Sequence, residues 1–230
     1  MSIAADFVSL FFPRYCLACS NSLVGGEETL CTRCIIDLPK TNYPPDDNPV
    51  IDKLAGRLQL AYGTAFLKLK KEGVVQRMLH QLKYNQHPEI GVKLGKVFGQ
   101  ELKTFGLGEA FDVIVPVPLH ASRKRKRGYN QSAKFAEGLS YSLGVPWDES
   151  ISYRKSSTKT QTRKSKAERW ENVKDVFSIA NTDALKGKRI LLVDDVITTG
   201  ATLEACGRHL QEDEGCNSLS VACIAEAQRL

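Results

Sequence analysis

The chain has 230 residues, of which 42% are hydrophobic and 25% are charged, and its formal net charge is +6. These values exclude general disorder and suit one full-sized domain with a smaller module beside it. No apolar run reaches the ~18 residues of a membrane span, and Asp6 lies where a signal peptide needs basic residues. We therefore expect a soluble, cytoplasmic protein without membrane insertion.

The N-terminal part of the chain carries two C-x-x-C pairs, formed by Cys16, Cys19, Cys31 and Cys34. Each pair can direct two thiolates at one point, and two pairs complete the tetrahedral four-sulfur set that structural Zn2+ accepts. The spacing predicts a zinc ribbon without catalysis, because four protein ligands leave no position open for water. An iron–sulfur cluster is the alternative. The odd total of seven cysteines, without a secretion signal, argues against a disulfide framework.

The segments on either side of the ribbon predict how the chain is divided. Apolar residues between Ile3 and Phe11 recur at helical spacing and predict a short helix that packs on the ribbon or the main domain. After the ribbon, TNYPPDDNP (41–49) is typical of a linker. We therefore predict a helix-and-ribbon module at residues 1–45 and a main domain at residues 46–230.

From Leu60 onward, predicted strands alternate with predicted helices. Strands are expected at 60–69, 111–119, 151–153, 189–195 and 218–227, and helices at 73–84, 90–105, 132–143 and 201–211. The apolar runs are too continuous for a half-exposed sheet, which indicates an α/β fold with a parallel sheet. Ligands of such sheets bind at the carboxyl ends of the strands, where FDVIVPVP and RILLVDD carry their unusual residues.

The predicted strand RILLVDD is followed directly by a turn and then by a predicted helix. The turn and the start of the helix offer hydroxyls, a glycine and backbone N–H groups, from Thr198, Thr199, Gly200, Ala201 and Thr202. At the positive end of a helix, these groups form a cradle of the size of a phosphate, with the glycine allowing close approach. A nucleotide P-loop is excluded, because that motif ends in GK[ST].

Two adjacent carboxylates, Asp194 and Asp195, precede this cradle. They would repel a bare phosphate, so a ribose 5-phosphate is the better fit. Its ring hydroxyls would bind the two carboxylates, its phosphate would occupy the cradle, and Mg2+ could balance the charge.

The basic residues are concentrated in one region. Between Ala121 and Trp170, thirteen Lys and Arg residues face four Asp and Glu residues, whereas the rest of the chain has nineteen against twenty-two. This region is either the binding site of an anionic partner or a solvated surface.

Several stretches resemble known families. LLVDDVITTGAT resembles the phosphoribosyl pyrophosphate (PRPP) motif of type I phosphoribosyltransferases. PVPLHASRKRKRGYNQSAKFAEGL, HQLKYNQ and TKTQTRKSKAERWENVKDVF are similar to the signature stretches of the ComF family. With the zinc ribbon, the resemblance covers nearly the whole chain. It implies a type I phosphoribosyltransferase fold and a connection with bacterial competence, the uptake of single-stranded DNA.

The resemblance also implies roles for the basic segments. In type I phosphoribosyltransferases the loop after the first core strand binds pyrophosphate, and Arg123, Arg127 and Gly128 occupy that place here. The five consecutive basic residues at 123–127 are more than one diphosphate can bind. Lys124 and Lys126 are therefore candidates for DNA contact. The residues expected in a flexible loop that closes over PRPP are Gln161, Arg163, Lys164 and Arg169.

Two functions remain open at this point. One is an enzyme that transfers phosphoribose from PRPP to a nitrogen acceptor with Mg2+. The other is a single-stranded DNA-binding competence factor, working with a competence helicase, that uses the same scaffold without catalysis. The Asp pair and TTGAT favour PRPP binding, and the basic excess favours DNA. The sequence does not identify the acceptor.

Overall fold

The protein is described from a computed structural model, which covers residues 12–154, 177–180, 185–212 and 216–227. The predicted N-terminal helix and the predicted flexible-loop residues Gln161, Arg163, Lys164 and Arg169 lie outside these ranges. The elements of the described residues are α1 (Thr32–Ile36), α2 (Pro49–Leu54), β1 (Tyr62–Leu69), α3 (Val74–Tyr84), α4 (Glu89–Thr104), β2 (Val113–Pro116), α5 (Ala121–Arg127), α6 (Gln131–Leu143), β3 (Ser152–Arg154), β4 (Phe177–Ile179), β5 (Arg189–Ile197), α7 (Ala201–Glu212) and β6 (Ser218–Ala227).

Four of the strands form one parallel sheet, in the order β1-β6-β5-β2. This confirms the predicted α/β fold with a parallel sheet. Strand β5 extends past its two acids, because Val196 and Ile197 still pair with β6. The predicted strand at 151–153 is present as β3, but it pairs antiparallel with β4 in a separate two-stranded sheet.

Both faces of the parallel sheet are covered, which explains the continuous apolar run of β5. Leu191 and Val193 belong to a buried cluster that includes residues of α3, α4 and α6. Ile190 and Leu192 belong to a second buried cluster with residues of α2 and α7. Because successive side chains of a strand point to opposite faces, each residue of the run is buried on one side or the other.

Helices α4 and α6 pack closely on the first of these faces. Gly95 of α4 and Gly138 of α6 face each other, and a Cβ built on either would collide with backbone atoms of the other helix. Only glycine permits this backbone approach. The close packing holds α6 against α4, and the N-terminal residues of α6 contribute to the site described below.

The cysteine-containing module packs on the main domain. Buried Cys16, Leu30 and Leu38 belong to the same apolar cluster as Phe66 of β1. Arg77 of α3 also donates from Nε to the carbonyl of Ala18, at 3.3 Å. The described part of the ribbon and the sheet therefore share one core, and the predicted boundary between residues 45 and 46 stays a prediction.

The predicted linker at 41–49 is fixed along the sheet. The backbone N–H of Thr41 donates to the carbonyl of Phe66 at 2.9 Å. Asn48 is buried; its side-chain oxygen accepts from the N–H of Val50 at 2.8 Å, and its Nδ2 donates to the carbonyl of Gly63 at 2.7 Å. Asn48 is thus the N-cap of α2 and Pro49 its first residue, so the proline-rich stretch begins a helix.

No helix in the described ranges combines the length and the apolar character needed to cross a membrane.

Candidate functional site

The Asp pair lies near the carboxyl end of β5, in contact with α3 and α6. Asp194 Oδ1 accepts hydrogen bonds from Ser132 Oγ at 2.9 Å and from the backbone N–H of Asp195 at 2.8 Å. Asp195 Oδ2 forms an ion pair with Lys83 Nζ at 2.9 Å. Both carboxylates are half-buried, and each is held by a partner from a different helix. The strand end is therefore an organised acidic site.

The environment of Asp194 changes its acidity. Burial raises the pKa of this carboxyl group to about 7, and the negative charge of Asp195 adds to the effect. The hydrogen bonds from Asp195 and Ser132 and the charge of Lys83 oppose this rise in pKa. A ligand that brings hydroxyl donors or a cation to the pair would favour the ionised form of Asp194.

The predicted phosphate cradle is the turn between β5 and α7. Thr198, Thr199 and Thr202 are exposed, whereas Gly200 is buried with a φ of +79°. A Cβ at Gly200 would lie 2.7 Å from Leu54 Cδ2, so this position requires glycine for its backbone angle and for its space. The exposed residues surround the N-terminal end of a twelve-residue helix, where a partial positive charge favours an anion.

The predicted pyrophosphate loop is a helix in the structure. Residues Ala121–Arg127 form α5, which begins after His120 and ends at Gly128 with a φ of +81°. Arg and Lys have high helix propensity, and the glycine supplies the left-handed terminus. The expectation of a loop was wrong for these residues, although Gly128 does lie in the turn that follows.

A pocket of about 360 Å3 lies between α3 and α5. Its lining residues are Lys83, Tyr84, Gln86, Arg123, Lys126, Arg127 and Tyr129. The structure thus brings Arg123 and Arg127 together in one pocket with two lysines, and their assignment to pyrophosphate stays a prediction. Lys126, assigned to DNA from the sequence, shares this pocket, whereas Lys124 pairs with Glu149 at 2.8 Å. Lys83 connects the pocket to Asp195.

A larger pocket of about 930 Å3 adjoins the acids and the cradle on the other side of Lys83. Asp195 and Thr198 form part of its wall, and Leu79, His80 and Tyr84 of α3 form another part. Tyr84 is 63% exposed and separates the two pockets. This larger space is continuous with the wall that carries Asp195 and Thr198.

Sequence reasoning missed several residues that build the site. Lys83 and Ser132 hold the two acids, and Arg57 donates from Nη2 to the carbonyl of Thr199 at 2.7 Å. Asn130 caps α6 and donates from Nδ2 to the carbonyl of Val117 at 2.9 Å, which ties α6 to the end of β2. The stretches HQLKYNQ and GYNQS contain three of these residues, and their resemblance to the ComF signature was the available signal.

The four ribbon cysteines form a compact cluster. Their sulfur atoms all lie within 4.8 Å of one another, and Cys19 Sγ is 3.8 Å from Cys31 Sγ. A tetrahedral site with Zn–S bonds of about 2.3 Å needs sulfur–sulfur separations of about 3.8 Å, so the residues fit a four-coordinate metal. The backbone N–H of Cys31 donates to Cys16 Sγ at 3.3 Å. Burial opposes ionisation of Cys16, but such N–H donors outweigh burial and lower the pKa of this thiol to about 7.

Comparison with known proteins agrees with this architecture. The model of the phosphoribosyl transferase domain family matches residues 80–229, which include both the acid pair and the basic helix. DNA utilization protein YhgH of Escherichia coli is 33% identical over 213 residues, covering 91% of this chain and 88% of that protein. The chain therefore belongs to the ComF family of proteins with a type I phosphoribosyltransferase fold.

Other matches are shorter. The alignment with YhgH of Salmonella typhimurium, at 33% identity, spans 64% of this chain and 65% of that protein. Competence protein F of Haemophilus influenzae is 39% identical over 50% of this chain and 51% of that protein. Among solved structures, the glutamine PRPP amidotransferase from B. subtilis is 22% identical with a TM-score of 0.46, covering 63% of this chain and 30% of that chain.

Proposed function

We propose that the protein binds PRPP with Mg2+ at the carboxyl edge of the sheet and transfers its phosphoribosyl group to a nitrogen acceptor, in DNA uptake or nucleotide metabolism. The observation that carries this proposal is the half-buried Asp194–Asp195 pair beside the Thr198–Thr202 cradle at the end of β5. The pair accepts hydrogen bonds from two ring hydroxyls, and the cradle accepts the 5-phosphate.

The basic pocket supports the assignment of the diphosphate. Arg123 and Arg127, with Gly128 after them, form one wall, and Lys126 and Lys83 add charge. Arginine suits a diphosphate because its planar group donates two hydrogen bonds at once. Arg127 is oriented, since its Nη1 donates to Gln131 Oε1 at 2.7 Å and its guanidinium lies 5.3 Å from the Tyr84 ring centre.

In the proposed reaction, the bond from the anomeric carbon to pyrophosphate breaks, and the electron pair leaves with pyrophosphate. The acceptor nitrogen forms the new bond to that carbon and releases its proton to the solvent. The basic pocket stabilises the negative charge that develops on pyrophosphate. Bound Mg2+ would neutralise further charge on the diphosphate. The predicted loop residues Gln161, Arg163, Lys164 and Arg169, outside the described ranges, are proposed to exclude water.

The test is a calorimetric titration of the purified protein with PRPP, with and without Mg2+. We expect saturable binding that weakens when Mg2+ is removed. A second arm incubates the protein with PRPP and candidate nitrogen acceptors and measures released pyrophosphate, which we expect only with the acceptor. No PRPP binding would refute the proposal; binding without pyrophosphate release would reduce it to a PRPP-binding protein.

We also propose that the four ribbon cysteines bind one structural Zn2+. The sulfur separations support this assignment, and the donor set also suits iron. Metal analysis of the purified chain should give one zinc per molecule. Stoichiometric iron would replace zinc in the proposal, and the absence of either metal would refute it.

Single-stranded DNA binding is the second candidate function, and the exposed basic face of α5 favours it. Arg123 through Lys126 are exposed on one short helix. Two relatives are named for competence and for DNA utilization. A competence helicase as partner stays a prediction from the resemblance alone.

The DNA candidate is tested by fluorescence anisotropy with a labelled oligonucleotide across a salt series. The logarithm of affinity should fall with the logarithm of salt by about 0.7 per phosphate contacted. Replacing Lys124 and Lys126 by Ala should flatten this slope. The matched control is Lys186→Ala with Lys188→Ala, two exposed lysines of the same spacing at the opposite end of β5. Equal slopes for both double variants would refute the assignment.

A further inference from the structure

Arg57 connects the segment after α2 to the phosphate cradle. Its Nη2 donates to the carbonyl of Thr199 at 2.7 Å, and its Nη1 pairs with Glu204 Oε2 of α7 at 2.9 Å. The Arg57 side chain is 31% exposed and that of Glu204 11% exposed. One guanidinium therefore bridges the turn and the first part of the helix that follows it.

The contact with Thr199 determines the direction of a backbone donor. In a planar trans peptide the carbonyl and the N–H point in opposite directions. Because the Thr199 carbonyl points toward Arg57, the N–H of Gly200, in the same peptide unit, points away from Arg57. A rotation of this peptide would break the bond to Arg57.

The residues around this peptide reinforce its orientation. Leu54 of α2 packs against Gly200, where a Cβ would lie 2.7 Å from Leu54 Cδ2. The N–H of Glu204 donates to the carbonyl of Gly200 at 2.8 Å. Leu54 and Arg57, which follow the predicted linker at 41–49, therefore contact the cradle on the side away from the proposed ligand.

We propose that Arg57 is a positioning residue for phosphate binding: by holding the Thr199 carbonyl, it keeps the Gly200 N–H directed at the 5-phosphate of the sugar ligand. This inference rests on the proposed function for the identity of the ligand. The gain in affinity comes from a turn that is already ordered before the ligand binds.

The experiment is calorimetric titration, in Mg2+ buffer, of wild type and variants with PRPP and separately with ribose 5-phosphate. Arg57→Met is expected to weaken the binding of both ligands about tenfold, the usual effect of losing one well-placed hydrogen bond. The matched control is Arg208→Met, because Arg208 pairs with the other oxygen of Glu204 at 3.0 Å and, unlike Arg57, is on α7 itself. The control should bind both ligands within about twofold of wild type, because it keeps the bond from Arg57 to the Thr199 carbonyl.

A second variant separates positioning from a structural role. Arg57→Lys can keep the ion pair with Glu204, but a single ammonium lacks the two arms that reach both acceptors. We expect it to keep the wild-type unfolding temperature and still bind ribose 5-phosphate several-fold more weakly. Full affinity in Arg57→Lys, or equal losses in Arg57→Met and Arg208→Met, would overturn the inference.

The arms also separate this inference from the proposed function. Wild type that binds PRPP, with Arg57→Met unchanged, overturns only the role of Arg57. Wild type that binds ribose 5-phosphate in an Arg57-dependent way, but not PRPP, supports the role of Arg57 and refutes PRPP as the ligand. Wild type that binds neither ligand overturns both.

Discussion

Asp194 couples the site to pH, and this coupling gives a prediction at the scale of one residue. Its pKa is raised from 3.8 to about 7 by burial and by Asp195. Between these values the folded state keeps a proton that the unfolded state has lost, so the free energy of unfolding falls as pH rises from about 4 to about 7 and then levels off. Asp194→Asn removes this loss of stability at high pH, because an amide carries no charge, and it keeps an oxygen acceptor for Ser132.

We therefore expect the free energy of unfolding of Asp194→Asn to exceed that of wild type at pH 8. This excess should be at least about 1 kcal/mol larger at pH 8 than at pH 5. Urea unfolding at the two pH values measures this difference. The comparison with wild type at each pH cancels the titration of groups that do not interact with Asp194. A stability difference that does not change between pH 5 and pH 8 would show that the pKa of Asp194 is not raised.

Gly200 gives a second prediction at this scale. Gly200→Ala introduces a methyl group against Leu54 at a position with a φ of +79°. Gly187→Ala is the control, because Gly187 has a similar φ of +69° but its added methyl group would meet no heavy atom within 4 Å. Both variants lose about 1 kcal/mol to backbone strain, and the contact with Leu54 should cost Gly200→Ala about 2 kcal/mol more. Urea unfolding measures both, and equal losses would contradict the tight packing at the cradle.

At the scale of the element, α2 shows how a short helix depends on its cap. Asn48→Ala removes the acceptor for the Val50 N–H and the donor to the Gly63 carbonyl, both of them buried. We expect a loss of about 2–3 kcal/mol in the free energy of unfolding. Asn85→Ala, which removes an exposed hydrogen bond to Gln81, is the control and should cost under about 0.5 kcal/mol. Similar losses in the two variants would contradict the role of the cap.

The elements also show what the sequence could and could not predict. The site at the carboxyl end of β5 was predictable because the apolar run, the two acids and the cradle follow one another directly in the sequence. Helix α5 was missed because it buries none of its residues, so hydrophobic periodicity gives no signal there. The pairing of Lys83 with Asp195 depends on α3 lying over the end of β5, a tertiary contact between residues far apart in the chain. Arg57 was missed for the same reason.

At the scale of the molecule, the ribbon and the sheet share a core, so a metal bound in the ribbon should affect the stability of the whole chain. Leu30 and Leu38 pack in one cluster with Phe66 and Leu67 of β1. If the cysteine cluster binds Zn2+, its removal by a chelator should loosen this part of the core and lower the unfolding temperature of the whole chain. Differential scanning calorimetry with and without chelator measures the shift. An unchanged transition after verified metal removal would show that the ribbon folds without its metal.

The proposed PRPP site depends on the acid pair of β5, which would bind the ring hydroxyls of the sugar. The most direct measurement is calorimetric titration of PRPP and Mg2+ into wild type, Asp194→Asn with Asp195→Asn, and a control, Asp46→Asn with Asp47→Asn. The control removes an adjacent pair of exposed carboxylates, so the formal change in charge is the same. Loss of two hydrogen bonds to charged groups should weaken binding at least about 100-fold in the β5 variant, with wild-type affinity in the control. Equal PRPP affinity in all three proteins would contradict the account.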